Sequence, residues 1–391
     1  MNQRFYSLDV FRGATVCLMI LVNNPGTWKH IYAPLKHAPW HGLTPTDLVF
    51  PFFLFAVGNA IAFVMPRLEA AGDAVFWKKV IKRTVLIFLI GLFLNWWPFV
   101  KWEYGMLSLK HWVDPNSPEN GVRILGVLQR IALCYFFASV LIYYLKLKKT
   151  FYVALILLLV YWILCVIGNP ADPYSLSGWF GTDIDKKILG VAHMYKGEGV
   201  AFDPEGLMST IPAIVQVIFG YMIGNYIQKK GKTYEMLSNL FIAGIVMLVT
   251  GFGMDMVFPI NKKIWTSSFT VYTSGLAILT IATMIYMIEF KNIKGGLTKF
   301  FDVFGKNALF VFALSAFLPK GLSLIRIPMG QSARGEQEMT YTNPWSWLYQ
   351  KVLIHIPGDQ RLGSLLFALC VITFMWAICW WMDKKKIYVK V

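Results

Sequence analysis

The sequence predicts an all-α protein: a polytopic membrane bundle of about ten transmembrane helices, with both termini in the cytoplasm. Three observations predict it. Of the 391 residues, 57% are hydrophobic, and aromatic residues (16%) outnumber charged ones (15%). A soluble domain of this size has too little interior to hide so much apolar surface. Apolar runs of about 18–22 residues recur along the chain, the length a helix needs to cross the hydrocarbon core. Finally, Lys and Arg crowd into alternate short connections, the pattern that marks cytoplasmic loops.

The predicted spans lie near 7–23, 44–66, 80–98, 123–145, 150–168, 207–228, 235–257, 266–288, 300–320 and 362–382. The first is short, because the apolar run from Val10 to Val22 halts at Asn23-Asn24-Pro25-Gly26. Proline lacks the N–H, and the residue before it avoids the helical region. This span is expected to stop below the membrane surface, leaving polar backbone that is tolerated only where it lines a cavity or is buried in protein. The second span opens with Thr44-Pro45, a capping residue and a first-turn proline, and Asp47 follows where the helix dipole favours negative charge. Asp9 and Arg12, three apart, share a face of the first span. Gln129 and Arg130 interrupt the fourth and Asp255 the seventh; ionisable groups at depth mark a pathway or a site. Arg123, Glu289 and Asp302 sit nearer span ends, where pairing or snorkelling is the expected role.

The net charge of +16 does not indicate nucleic acid. It gathers at Lys78, Lys79, Lys82 and Arg83, at Lys146, Lys148 and Lys149, at Lys229, Lys230 and Lys232, at Lys291, Lys294 and Lys299, and at Lys384, Lys385 and Lys386. These are topology signals and contacts for anionic lipid. The five cysteines all fall in apolar segments without CxxC spacing, so neither a disulfide framework nor a zinc ribbon is expected. No small-residue cleavage site follows the first run, which is expected to stay as an uncleaved anchor. With no repeat and no low-complexity linker, residues 1–391 read as one transmembrane domain.

The chemistry gathers in LKHAPWHGLTPTDLVFPFFLFAVG, from Leu35 to Gly58. All six histidines fall in the longer, non-cytoplasmic connections, and His37 and His41 precede the Asp47 helix start. Asp47 has two open readings. It complements the helix dipole, or it orients a histidine by bonding one ring nitrogen and raising the basicity of the other. His37 and His41 are four apart, but Pro39 between them opposes a regular helix and no HExxH follows, so no metal site is expected.

Several blocks together resemble one family: SLDVFRG at 7–13, VNNPG at 22–26, KHAPWHGLTPTDLVFPFFLFAVG at 36–58 and RILGVLQR at 123–130, with PEGLMSTIPAIVQVIFGYMIG at 204–224, NKKIWTSSFTVYTSGLA at 261–277 and FGKNALFVF at 304–312. The chain is similar to the heparan-α-glucosaminide N-acetyltransferase family of transmembrane acyltransferases. The resemblance implies acetyl transfer from cytosolic acetyl-CoA to the amino group of a glucosamine on the far side of the membrane, and it suggests a homodimer. The family's essential histidine lands on His37, its following aspartate on Asp47, the VN asparagine on Asn23 and the FRG arginine on Arg12. His41 stands where the lysosomal enzyme has asparagine. The chain also begins almost at the SLDVFRG block, as expected of a compact bacterial relative in the inner membrane with its histidine facing the periplasm.

An imidazole titrating near neutrality can take the proton an amine must lose, and a tetrahedral oxyanion needs a donor placed beforehand. His37 is therefore expected to be the general base, or an acetyl carrier, with Asp47 orienting it and Asn23 stabilising the thioester carbonyl. Arg12, Asn24, Gln129, Arg130 and Trp265 are the candidates for acetyl-CoA. Trp40, His41, Lys262 and Lys263 are the candidates for the sugar, the two lysines suiting an anionic one. The alternatives are an O-acyltransferase acting on a cell-envelope glycan and a secondary transporter. A transporter commonly pairs broken helices in corresponding halves, whereas one clear break is present here.

Overall fold

The structure is a computed structural model that describes residues 5–331 and 339–389; residues 332–338 of the last predicted long connection lie outside it. Among the described residues, seven helices are long and apolar enough to cross a membrane. The number is eight if the bent pair α9 (Gly296–Lys306) and α10 (Ala308–Leu322), inclined at 79°, forms one span.

The difference from ten has local causes. The fourth and fifth predicted spans lie in one element, α4 (Val127–Gly168), whose 42 residues leave helical geometry at Lys146 (φ 56°, ψ 177°). At 1.5 Å per residue it measures about 63 Å, roughly two crossings of the hydrocarbon core. The third predicted span lies in α3 (Asp73–Trp96), where Lys78, Lys79, Lys82 and Arg83 occupy the first half and leave too short an apolar run.

The early stop of the first span is observed. Helix α1 runs Tyr6–Asn23, about 27 Å. Asn24 turns its side-chain amide back to the Ile20 carbonyl (2.9 Å), and the Gly26 N–H donates to the Ser364 carbonyl on the last helix, Gln360–Lys384, at 3.2 Å. Thr44 and Asp47 form the expected start of the second span. A 3₁₀ turn, Pro45–Leu48, feeds α2 (Val49–Ala71), and the Asp47 carboxylate accepts from the Thr44 N–H and hydroxyl, both at 3.0 Å.

Helix α2 packs against α6 (Leu207–Lys230) with almost no side chain between them. A Cβ on Gly58 would lie 2.0 Å from the Val217 carbonyl oxygen, and one on Gly220 2.1 Å from that of Phe55. In lipid, where no hydrophobic force drives helices together, such close backbone approach supplies the packing. Gly13 and Gly305 bring α1 against α9 in the same way. Helix α8 (Ser267–Ile285) completes the centre, while α7 (Tyr234–Met254) lies outside it and exposes Ile242, Ile245, Val246 and Val249. Connections at the end where α2 starts are long. They carry the hairpins β1–β2 (Val100–Glu103, Met106–Leu109) and β3–β4 (Val113–Asp114, Ser117–Gly121), and the short α5 (Gly181–Leu189).

Candidate active site

The broken end of α1 and the capped start of α2 meet three distant segments around a chamber of about 260 Å³. His37 lines it. Asp47, 1% exposed, holds the ring: His37 Nδ1 donates to Asp47 Oδ1 at 2.7 Å, while Asp47 Oδ2 accepts from the Ala38 N–H at 3.0 Å and from Thr44. Both carboxylate oxygens are thus occupied by groups from residues 37–44. A proton on Nδ1 leaves the lone pair on Nε2, the arrangement of a base held in one tautomer. The reading of Asp47 as the orienting carboxylate is the one this geometry supports.

A tight turn before α8 delivers further groups. Asn261 Oδ1 accepts the Ile264 N–H (3.1 Å), and Thr266 Oγ1 accepts the Asn261 N–H (3.0 Å). The turn forces Trp265 into the left-handed region (φ 51°), at a cost of roughly 1–2 kcal/mol for a residue with a Cβ. Trp265 is held edge-on between Phe50 and Phe269, both 5.1 Å away, and its ring walls the chamber. Lys262 Nζ lies 3.1 Å from His37 Nδ1 and 3.5 Å from Asp47 Oδ1; burial lowers its pKa, with Asp47 opposing. Lys263 donates to Glu198 (2.6 Å) and to the Pro39 carbonyl (2.8 Å), beneath the Trp40 ring. Trp40 is fixed in turn by its indole N–H on the Tyr174 carbonyl (2.7 Å).

The opposite wall went unassigned in the sequence. Arg123 lies in the chamber, forked onto Asp203 (2.9 Å through Nε) and bonded to Glu205, with Tyr195 under its guanidinium. Burial opposes ionisation of Glu205, but Arg123 and Arg130 outweigh it and hold the carboxyl below its ordinary range. Each cation lining the chamber therefore has a carboxylate: Lys262 with Asp47, Lys263 with Glu198, and Arg123 with Glu205. The formal charges cancel, and the two lysines are not free anion receptors. A signal for Glu205 was present, since Pro204-Glu205-Gly206 opens one of the resemblance blocks.

His37, Asp47, Asn23, Trp40, Lys262, Lys263 and Trp265 thus come together at one chamber. His41 stands beside it, bonded to Asn261 (3.3 Å), its pKa lowered by burial. Asn24, Gln129 and Arg130 line neither the chamber nor the cavity described next. Asn24 caps α1, Gln129 is buried near Gly91, and Arg130 is fully buried behind Trp265 (5.1 Å), where it donates to Ser209 and the Gly206 carbonyl.

Arg12 lies at the other end of the same helix pair. There a cavity of about 540 Å³ is lined by Asp9 and Arg12 from α1 and by Asn59 and Arg67 from α2. Arg12 donates to Asp9 (2.9 Å) and to the Gly305 carbonyl (2.8 Å), as their three-residue spacing predicts. The buried Asn59 amide has no hydrogen-bond partner, oxygen or nitrogen, among the described residues. The two cavities share α1 and α2. Between Phe50, which lines one, and Ala56, which lines the other, there is about 9 Å of helix.

The chain is 27% identical to the heparan-alpha-glucosaminide N-acetyltransferases of Homo sapiens and Mus musculus over 364 aligned residues, covering 79% of this chain. It spans about half the length of these curated relatives, 52% and 53%. No family model matches it. The two matches support the chain's membership of the family its motifs resemble, and with the apolar helices they identify an integral membrane protein.

Proposed function

We propose that this relative of the heparan-α-glucosaminide N-acetyltransferases carries an acetyl group across the membrane, from acetyl-CoA at the Arg12 end to the amino group of a glucosamine-type sugar at the His37 end. The observation that carries the reading is the His37–Asp47 pair. It sits in a chamber at one end of a helix pair whose other end forms a second cavity that holds Asp9, Arg12, Asn59 and Arg67 among its lining residues.

His37 Nε2 takes a proton from the sugar ammonium, and the freed amine attacks the thioester carbonyl carbon. The Asn23 side chain, at the chamber wall where α1 ends, donates to the developing oxyanion. As the C–S bond breaks, the imidazolium returns its proton to the departing thiolate, the acetylated nitrogen releases its second proton to water, and Asp47 stabilises the charged ring in between. The alternative in which His37 carries the acetyl group uses the same pair. Trp40 and Trp265 offer faces for a sugar ring. Arg12, Arg67 and the unpartnered Asn59 amide suit the polar part of a coenzyme entering from the other side.

The distribution of charge supports the orientation. Helix α2 descends from the His37 end and leads into Lys78–Arg83, and α6 descends from Glu205 to Lys229 and Lys230. Basic clusters of this kind favour the cytoplasmic face, which supports an outward-facing His37. The test is the purified chain with labelled acetyl-CoA and glucosamine. N-acetylglucosamine forms with the wild type and not with His37→Ala; transfer at the wild-type rate by the variant overturns the assignment.

A further inference from the structure

On the flank away from α1, a cleft of about 590 Å³ runs between the second half of α4 and α6, α7 and α8. Its lining is apolar, with Thr250 the one hydroxyl. Its rim residues Phe151, Leu155 and Leu159 are exposed, so it opens sideways into the hydrocarbon. From Phe151 to Trp162 it follows α4 for about 16 Å, roughly the depth of one leaflet. Water finds no polar partners in such a space, whereas a hydrocarbon chain matches its length and lining.

The end of this cleft abuts the wall of the His37 chamber. Trp162 donates its indole N–H to the Tyr174 hydroxyl (2.9 Å) and stacks on Phe258 (6.1 Å). The Tyr174 carbonyl receives the indole N–H of Trp40, which lines the chamber, and Trp40 lies 5.5 Å from Phe202 in the same aromatic layer. On α7 the cleft ends at Met254. The next residue, Asp255, accepts the Ile260 N–H and so closes the turn that leads to Asn261, Lys262 and Lys263. A chain seated in the cleft thus ends against the Trp162–Tyr174–Phe258 stack, one aromatic layer from Trp40.

We infer that the acceptor sugar is lipid-linked: its hydrocarbon chain lies in the α4–α7 cleft while its amino sugar reaches the His37 chamber over the Trp40–Tyr174 wall. This rests on the acetyl-transfer reading and adds to it the class of the acceptor. The cleft anchors the lipid, and the chamber needs to recognise only one amino-sugar ring without acidic groups, in keeping with its balanced charges.

The experiment uses the full chain in phosphatidylcholine vesicles with acetyl-CoA and either free glucosamine or a long-chain alkyl glucosaminide. Tethering raises the effective sugar concentration, so the wild type shows a KM lower by about tenfold or more for the alkyl glucosaminide. Membrane partition alone gives the same advantage to any variant, so the decisive arm fills the cleft. Ala243→Trp, or Thr250→Phe if the first does not fold, loses most of that advantage and turns over free glucosamine like the wild type. Equal KM values for the alkyl glucosaminide in wild type and variant overturn the inference. A diazirine placed in the alkyl chain labels Leu155 and Met247 in the wild type; equal labelling by a diazirine phosphatidylcholine at the same mole fraction shows bulk lipid only and also overturns it. Failure of the wild type to acetylate either acceptor refutes the acetyl-transfer reading itself, a result distinct from either of these.

Discussion

The two ends of the α1–α2 pair differ in how their polar groups are satisfied. At the His37 end, each cation lining the chamber faces a carboxylate, and Asp47 accepts hydrogen bonds on both oxygens. At the Arg12 end, the Asn59 amide is buried with no partner on either atom among the described residues, and the exposed Arg67 lines the same cavity. A reacting centre gains from groups fixed before substrate arrives, because they need not reorganise during the reaction. A binding site gains from groups whose partners the ligand brings. On the proposed reading the first end is therefore the catalytic centre and the second the receptor.

The largest effects are expected at the fixed end. His37→Ala removes the base and lowers kcat by about 10²–10⁴-fold. Asp47→Asn keeps the shape but loses the charge that holds the tautomer, with a fall of the same order. Both variants keep their KM for acetyl-CoA; a large KM rise with kcat intact would break the division between the two ends.

The receptor end is expected to answer in the opposite way. Asn59→Leu raises KM for acetyl-CoA about tenfold, as loss of one polar contact to the ligand implies. It also stabilises the unliganded protein by about 1–3 kcal/mol, since a buried amide without partners costs that much. Thermal unfolding without acetyl-CoA checks the second effect, and a lower midpoint for the variant would mean Asn59 is structural.

Lys262 sharpens the first half of the comparison. The sequence suggested an anionic-sugar contact, whereas its Nζ lies against both His37 and Asp47. Lys262→Met disturbs the pair that acts in the chemical step, so kcat falls by about tenfold while the KM for the sugar is unchanged. A KM rise for the sugar with kcat intact would restore the anion-receptor role.

The smallest effect tests the layer behind the chamber. Burial raises the Asp185 carboxyl to about 6 from its ordinary 3.8, with the Leu207 N–H opposing. Because the folded value is the higher one, the fold favours the protonated acid. Stability is lost as pH climbs from about 4 through 6, and the deficit above that is on the order of 3 kcal/mol. Asp185→Asn keeps the acceptor for Leu207 and removes the titration, so its unfolding midpoint changes less than the wild type's between about pH 5 and pH 8.

Local signals were readable in the sequence and distant pairings were not. Thr44-Pro45 with Asp47, and Asn23-Asn24-Pro25, act through neighbours within four residues, and both appear as expected. Glu198, Glu205 and Lys262 join His37 at the chamber from 161 to 225 positions along the chain, which no spacing rule connects. Arg123 was read as a span-end residue and lies in the chamber, while Arg130 was read as a ligand for the cofactor and lies behind Trp265. A buried arginine has the same sequence signature in either place. Fewer than ten helices meet the length and apolarity of a span because the fourth and fifth predicted spans run through Lys146 as one element, α4, and because the basic first half of α3 shortens its apolar run.

The central claim is that acetyl-CoA and the sugar meet from opposite faces of the membrane. Vesicles holding the oriented chain are loaded with labelled acetyl-CoA on the side of the Lys78–Arg83 cluster and glucosamine on the other. The account expects N-acetylglucosamine on the glucosamine side alone, abolished by His37→Ala. Product that forms only when both substrates share one side would contradict it.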